Sequence, residues 1–260
     1  KQFMRIKKHI INSQYKKLKL GIGKNKSHST WKFSKDIVKD FDNHIERSVP
    51  RYKDCHKLTT RISDFFMVEN NSEYLDIGST TGSLIEEIGK HHNKRNKLKI
   101  SGVEIEPHFC KFSKKRLKNL YLKHDINFYS ENILSFLKKS KKNFDYVSSL
   151  FTLQFIKPSM RSEIINLIYK RLNWGGGFIF FEKVRGKDAR FQDILNFLLN
   201  LEKIDQNFDP IEIYGKSMSL VGKMEPFTHN GNLKLLNEAG FKDIEVVFKF
   251  INFQGYLCIK

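Results

Sequence analysis

The stretch from Leu75 to Gly82, LDIGSTTG, sets a short apolar run ending in Asp76 before a glycine-containing turn and the helical pattern SLIEEIGK. A glycine turn lets backbone amides approach a ligand closely, and the next helix offers its positive N-terminus to a polar group. About one βα unit further on, VEIE carries Glu104, where a carboxylate can accept both hydroxyls of a ribose. SENI, Ser130 to Ile133, places Asn132 at the end of a third strand, within reach of an adenine amino group, with Ile133 to pack on the ring. As a helix cap, Asn132 needs no ligand at all. Turn and acid at this spacing favour a nucleoside cofactor. The turn is not GxGxxG and no second nucleotide half follows, which weighs against a dinucleotide. SSLFTLQFIKP, Ser148 to Pro158, closes a fourth strand, and its Leu150, Phe151, Leu153 and Phe155 read as core. No Asp-Pro-Pro-Tyr or Asn-Pro-Pro-Tyr run supports amino-methylation of a nucleic-acid base, and no cysteine is placed to attack a pyrimidine. Cys55, Cys110 and Cys258 make no metal-ligand spacing, so no metal is expected, and they read as reduced thiols of a cytosol-like compartment.

These residues need a scaffold of alternating strands and helices. Helical patterns run from Ser34 to Arg47 and from Tyr52 to Val68, interrupted at Pro50. From Glu73 the pattern becomes βα repeats: EYLDI, then a helix; KISGVEIE, then a helix opened by Pro107; INFYS; FDYVSSLF; a helix from Pro158 to Leu172; and NWGGG leading into the strand FIFFEK. Residues 188–222 read as helical and irregular. A helix from Asn230 to Ala239, stopped by Gly240, precedes the strands DIEVVFKF and FQGYLCIK, which read as an antiparallel edge. The expectation is an α/β, Rossmann-like, seven-stranded and mostly parallel sheet, with an antiparallel C-terminal strand and helices on both faces.

The chain has 260 residues, enough for one large α/β domain. No apolar run approaches the ~18 residues of a membrane span. Lysine and arginine number 47 against 28 acids, a net charge of +19. Such a surface attracts polyanions, RNA above all, yet abundant Lys, Asn and Ile also follow from an AT-rich source. Residues 1–30 carry nine Lys or Arg and no acid, and read as a basic arm ahead of a single domain at 31–260 with an N-terminal helical extension.

Together these segments resemble the carboxy-S-adenosyl-L-methionine (carboxy-SAM) synthase family. The matching text is WKFSKDIVKDFDNHIERSVPRY, FTLQFIKP, LIYKRLNWGGG, FEK, KSM, LNEAGF and FINFQG, from Trp31 to the C-terminus. The resemblance implies a homodimeric, cytoplasmic enzyme of the class I S-adenosylmethionine (SAM)-dependent methyltransferase fold. In that family prephenate supplies a carboxyl group to the sulfonium methyl of SAM, giving carboxy-SAM, phenylpyruvate and water. A partner enzyme then transfers the carboxymethyl group to hydroxyuridine at the tRNA wobble position.

Carried over residue by residue, Tyr52 matches the SVPxY tyrosine that contacts the cofactor, and Gly78, Ser79 and Thr80 match the loop, with Asp76 before it. Glu104, followed by Ile105, stands where the family has the ribose-binding Asp. Asn132 replaces an Asp near the adenine, and Ile133 is retained. Leu150 falls where the family has a ligand-contacting Asn, with Ser148 or Ser149 as candidate replacements. Lys216 falls where the family has the Arg that clasps the new carboxylate, keeping the charge but losing the bidentate fork. Lys216 and Tyr52 are the expected catalytic residues, and the others hold SAM or carboxy-SAM. The alternatives are a conventional SAM-dependent methyltransferase with an unknown acceptor, and a non-catalytic RNA-binding module.

Overall fold

In the computed structural model the described residues are 37–94 and 96–260. The expected basic arm, Trp31 and the start of the first expected helix lie outside them. Two short helices open the described chain, α1 (Phe41–Ser48) and α2 (Tyr52–Ile62). The repeating part follows as β1 (Ser72–Ile77), α3 (Ser83–His92), β2 (Leu98–Val103), α4 (Pro107–Arg116), β3 (Asp125–Tyr129), α5 (Ile133–Lys139) and β4 (Phe144–Leu150). It continues through α6 (Pro158–Arg171), β5 (Leu172–Lys183), α7 (Ala189–Asp205), α8 (Pro210–Leu220), α9 (His229–Ala239), β6 (Asp243–Phe250) and β7 (Phe253–Ile259). The sheet order is β3-β2-β1-β4-β5-β7-β6, with β1 to β5 parallel and β7 antiparallel to both of its neighbours.

Alternation along each central strand feeds two cores. Tyr74, Tyr146, Ile179 and Phe181 face α2 and α3, whereas Leu75, Ile77, Val147, Phe178 and Phe180 face α5, α6 and α9. Asp76 and Ser148 lie on the Tyr74/Tyr146 face, two residues further along their strands, so both polar groups are buried.

The terminal strand pair forms the expected antiparallel edge: β6 is outermost and half exposed along its length, and β7 slots between β5 and β6 with Phe253, Tyr256 and Cys258 buried. The structure departs from the sequence reading in three places. Residues 188–222 are two well-formed helices, each opened by an aspartate whose side chain accepts a backbone amide, Asp188 from Phe191 and Asp209 from Ile211. The helix opened by Pro107 ends at Arg116, and β2 ends at Val103, leaving Glu104 just past the strand. Residues 37–40 form a turn, so α1 begins only at Phe41.

α1 is tied across the glycine turn by one guanidinium. Arg116 Nε donates to Glu86 of α3 at 2.5 Å and Nη1 to Asp42 of α1 at 2.5 Å, while Thr81 Oγ1 donates to the other oxygen of Asp42 at 2.5 Å. Both carboxylates raise the pKa of the guanidinium against the opposing effect of burial. Arg116→Met should therefore destabilise the protein by about 1–3 kcal/mol, since it strands two partly buried carboxylates. It should also weaken ligand binding by loosening α1, as denaturant melts and calorimetric titration of the variant would measure.

Candidate active site

The carboxyl ends of β1 and β4 open on a cavity of about 460 Å³, at the point where the strand order reverses. All eleven residues singled out by sequence line it: Tyr52, Asp76, Gly78, Ser79, Thr80, Glu104, Ile105, Asn132, Ile133, Leu150 and Lys216.

The turn after β1 has the backbone that the glycines foretell. Gly78 and Gly82 both have φ of +74°, and Thr80 itself adopts φ +42°. A Cβ on Gly78 would overlap the side chain of Thr152, so the residue is held to glycine by space as well as by φ. Gly78 and Ser79 each donate a backbone amide to the Val103 carbonyl, at 2.8 and 3.2 Å. The Ser79 hydroxyl is buried, and it has no hydrogen-bond partner among the described residues.

Glu104 ties the turn to the end of β2: one carboxylate oxygen accepts from Thr80 N at 3.1 Å, the other from Glu106 N at 3.0 Å. Burial raises its pKa, partly offset by those amides. Each oxygen keeps a lone pair for a further donor, as a vicinal diol requires. Asn132 caps α5, its Oδ1 accepting from Leu134 N at 2.8 Å, and still lines the cavity, so the cap fixes the direction of its amide. Ile105 is exposed at the mouth and Ile133 is buried.

Asp76 sits deeper. Ser148 Oγ donates to it at 2.7 Å and exchanges a second hydrogen bond of 2.7 Å with the Tyr74 hydroxyl. Burial pushes the Asp76 carboxyl up to about 7, against the Ser148 hydrogen bond and with a further upward push from Glu104. The candidate replacements for a polar group at 150 are thereby corrected: Ser148 is committed to Asp76 and Tyr74, Ser149 is buried behind the strand, and neither lines the cavity.

Tyr52 opens α2 directly after Arg51, whose φ is +59°. Its ring packs 4.5 Å from His56 and 5.9 Å from Phe151, itself held at φ +55° where β4 ends. Left-handed backbone at a large side chain stores strain, and such strain gathers at functional sites. Burial lifts the Tyr52 phenol above its ordinary range, so it is a neutral donor.

Lys216, on α8, reaches across to α1, where Nζ lies 2.8 Å from His44 Nε2 and donates to Ser48 Oγ at 2.5 Å. Ser48 in turn donates to the His44 carbonyl at 2.7 Å, leaving its oxygen to accept. Burial and the Lys216 and Arg47 charges lower His44 to about 3, so its ring stays neutral. Burial chiefly, then the Lys203 charge, lowers Lys216 to about 7. Sequence reasoning missed His44, Ser48, Thr152, Lys183 and Lys203, all cavity residues. His44 and Ser48 stand four apart inside the matched segment DNHIERS, a pairing that one helical face would have disclosed.

Residues 75–178 match the family model of a methyltransferase domain. Over 231 residues the chain is 35% identical to the carboxy-S-adenosyl-L-methionine synthase of Staphylococcus epidermidis, covering 88% of this chain and 97% of that protein. It is 32% identical over 232 residues to the enzyme of that name from Campylobacter lari, covering 88% and 94%. The chain belongs to the carboxy-SAM synthase family. Among solved structures, an O-methyltransferase family protein from Burkholderia thailandensis aligns with a TM-score of 0.62 at 12% identity, covering 88% of this chain and 60% of its own. PigF with SAH aligns at 0.60 and 18%, covering 87% and 60%. This chain thus spans about three-fifths of each of those two structures, and they bear on fold alone. The fold is that of the class I SAM-dependent methyltransferases, and the protein is a SAM-dependent transferase. The cavity suits that ligand: a buried hydroxyl without a partner at Ser79, a turn with no room for a Cβ at Gly78, and an acid held by backbone at Glu104.

Because folding lifts Asp76 from 3.8 to about 7, the folded protein keeps a proton that the unfolded chain has lost between those values. The stability so contributed is fully present below the lower value and declines as pH rises towards the upper one. Asp76→Asn, which keeps the acceptor for Ser148, should raise the stability of the ligand-free protein at pH 8 more than at pH 5, by about 1–3 kcal/mol of difference. Denaturant melts at the two pH values check this, and an equal change at both would overturn it.

Proposed function

We propose that the protein converts SAM and prephenate into carboxy-SAM, phenylpyruvate and water. The observation that carries the reading is Lys216: a lysine of the cavity wall fixed between the imidazole of His44 and the hydroxyl of Ser48. A conventional methyl transfer has no use for a cation there, because the sulfonium is itself positive, whereas a carboxylate growing on the methyl carbon gains an ion pair. Lysine loses the fork of an arginine, but two acceptors on α1 aim this ammonium as a point charge.

SAM supplies a sulfonium, which acidifies the methyl attached to it. Prephenate supplies carbon dioxide from its ring carboxyl and hydroxide from its ring carbon. The hydroxide takes up a methyl proton as water while the carbon dioxide joins the methyl carbon, so atoms and charge balance. The chain's own part is positional. Glu104, Asn132 and Ile133 hold the nucleoside, while Gly78, Ser79 and Thr80 present the turn. Tyr52 closes the wall beside Phe151, Asp76 places an acceptor held by Ser148 below the turn, and Lys216 faces the new carboxylate. Carboxy-SAM would then serve carboxymethyl transfer to a tRNA wobble uridine in the cytoplasm, in which this chain itself needs no contact with RNA beyond that of its basic surface. Leu150 favours the second reading, an ordinary methyltransferase with an unknown acceptor, since it removes a polar contact beside the ligand.

A homodimer belongs to the same reading. α7 exposes Phe191, Ile194, Phe197, Leu198, Leu201 and Ile204 and buries only Leu199. An apolar stripe of that length is what a self-complementary interface would cover. Phe197→Glu should shift the species observed by light scattering from two chains to one, and an unchanged mass would remove α7 from the interface.

Incubation of the purified protein with SAM and prephenate, followed by mass spectrometry, should yield carboxy-SAM and phenylpyruvate; untouched prephenate would favour the methyltransferase reading. Lys216→Ala should weaken carboxy-SAM binding about tenfold to a hundredfold more than SAM binding. Equal losses for the two ligands would overturn the role of Lys216.

A further inference from the structure

Charge is divided along the cavity. Its acids, Asp76, Glu104 and Glu131, come from β1 and from the segments that follow β2 and β3. Its lysines, Lys157, Lys183, Lys203 and Lys216, come from the segment before α6, from β5, from α7 and from α8. Since β1 lies between β2 and β4, and β5 lies beyond β4, the three acids and the pair Lys157 and Lys183 stand on opposite sides of the strand-order reversal, while Lys203 and Lys216 reach the cavity from the helices that follow β5. The acidic wall is the nucleoside half. The basic wall carries more cation than the new carboxylate on one methyl group can use.

Lys183 and Lys203 are the surplus. Both are partly buried, and neither has an acid among its interactions with the described residues. Burial, then the nearby Lys203 charge, lowers Lys183 to about 8, and burial lowers Lys203 as well. Lys203 lowers Lys216 too, so the three ammonium groups share one field. Two desolvated cations that repel each other lower stability unless an anion joins them. Phe151, Phe155, Leu199, Leu220, Met224 and Phe253 line the same cavity, providing apolar surface for a carbon ring.

We infer that Lys183 and Lys203 form the subsite for the second substrate, taking the carboxylates of a small dicarboxylic acid whose ring packs on the neighbouring apolar wall. This rests on the synthase reading above, in which that acid is prephenate. The lysines then have separate roles, with Lys216 serving the carboxylate that forms while Lys183 and Lys203 serve the anion that arrives.

The test titrates prephenate into the full chain loaded with S-adenosylhomocysteine, alongside steady-state kinetics of carboxy-SAM formation. Lys183→Met and Lys203→Met each keep an apolar stem and remove the charge. Each should raise the Kd and the KM for prephenate about tenfold or more while leaving S-adenosylhomocysteine affinity within about twofold. Lys183→Arg and Lys203→Arg should recover most of the loss. Retained S-adenosylhomocysteine affinity shows that the variants fold. Prephenate binding by the wild type at about pH 8.5 should take up protons, seen as a buffer-dependent enthalpy that shrinks in Lys183→Met. Unchanged prephenate constants in both methionine variants, with product still forming, would overturn the subsite. So would loss confined to SAM and S-adenosylhomocysteine, which would give these lysines to the amino-acid carboxylate instead. Failure of the synthase reading looks different, since the wild type loaded with SAM would then leave prephenate unconsumed.

Discussion

Ionisable groups buried at the carboxyl ends of a parallel sheet constrain everything packed around them. Asp76 and Glu104 on one wall, and Lys183, Lys203 and Lys216 on the other, are all pushed towards their neutral forms by loss of water. A desolvation penalty of several kcal/mol per ion exceeds what a single surface contact returns, so each group needs fixed partners. The chain supplies part of them: Ser148 for Asp76, two backbone amides for Glu104, and His44 with Ser48 for Lys216. On the proposed synthase reading, a bound nucleoside sulfonium and a carboxylate supply the rest. The ligand-free protein is therefore less stable than the same fold with neutral residues at these positions, and ligand binding recovers the difference.

The topology explains why the two kinds of charge do not collapse onto each other. Parallel strands run their carboxyl ends to the same rim, and the reversal between β1 and β4 splits the helices to either side of it. Acids then follow from β1, β2 and β3, and lysines from the elements after β4. An α/β chain of this order needs only single residues near strand ends to build a two-sided cavity, without long loops. The Arg116 bridge adds α1 as a roof, since α1 carries both acceptors for Lys216 and the Asp42 that holds it over the turn.

What could be read from the sequence follows from the range of the interactions involved. β1, β2 and β4 were legible because a buried strand is an apolar run, and the glycine turn because Gly78 and Gly82 take the φ values that local chemistry demands. Glu104 and Asn132 were legible as cavity residues for a related reason: each stands just after its strand. The insertion of β7 between β5 and β6 was not, since it depends on comparing burial of two strands that read alike. The regularity of α7 and α8 was missed because their exposed apolar residues blur the periodic signal, leaving the caps at Asp188 and Asp209 as the clear marks. Lys183 and Lys203 were invisible among 47 basic residues, as only folding distinguishes a desolvated lysine from a solvated one.

The exchange of lysine for the arginine that the family resemblance sets at 216 is best understood together with its neighbours. A guanidinium orients itself on a carboxylate through its fork, whereas an ammonium has no preferred plane and must be aimed by its own acceptors. His44 is suited to aiming it because burial keeps the imidazole neutral, so its ring nitrogen accepts from Lys216 rather than repelling it. A protonated imidazole there would place two positive groups within hydrogen-bonding distance, and the pKa lowered to about 3 prevents this across the neutral range. Leu150 fits the same logic. With a polar contact removed from the strand end, more of the orientation of the amino-acid or carboxyl end of the ligand falls to charge at the basic wall. On the proposed synthase reading the position of Lys216 then matters more here than a forked arginine would in a cavity that kept the asparagine, and α1, through His44 and Ser48, becomes part of the active site rather than a cover over it.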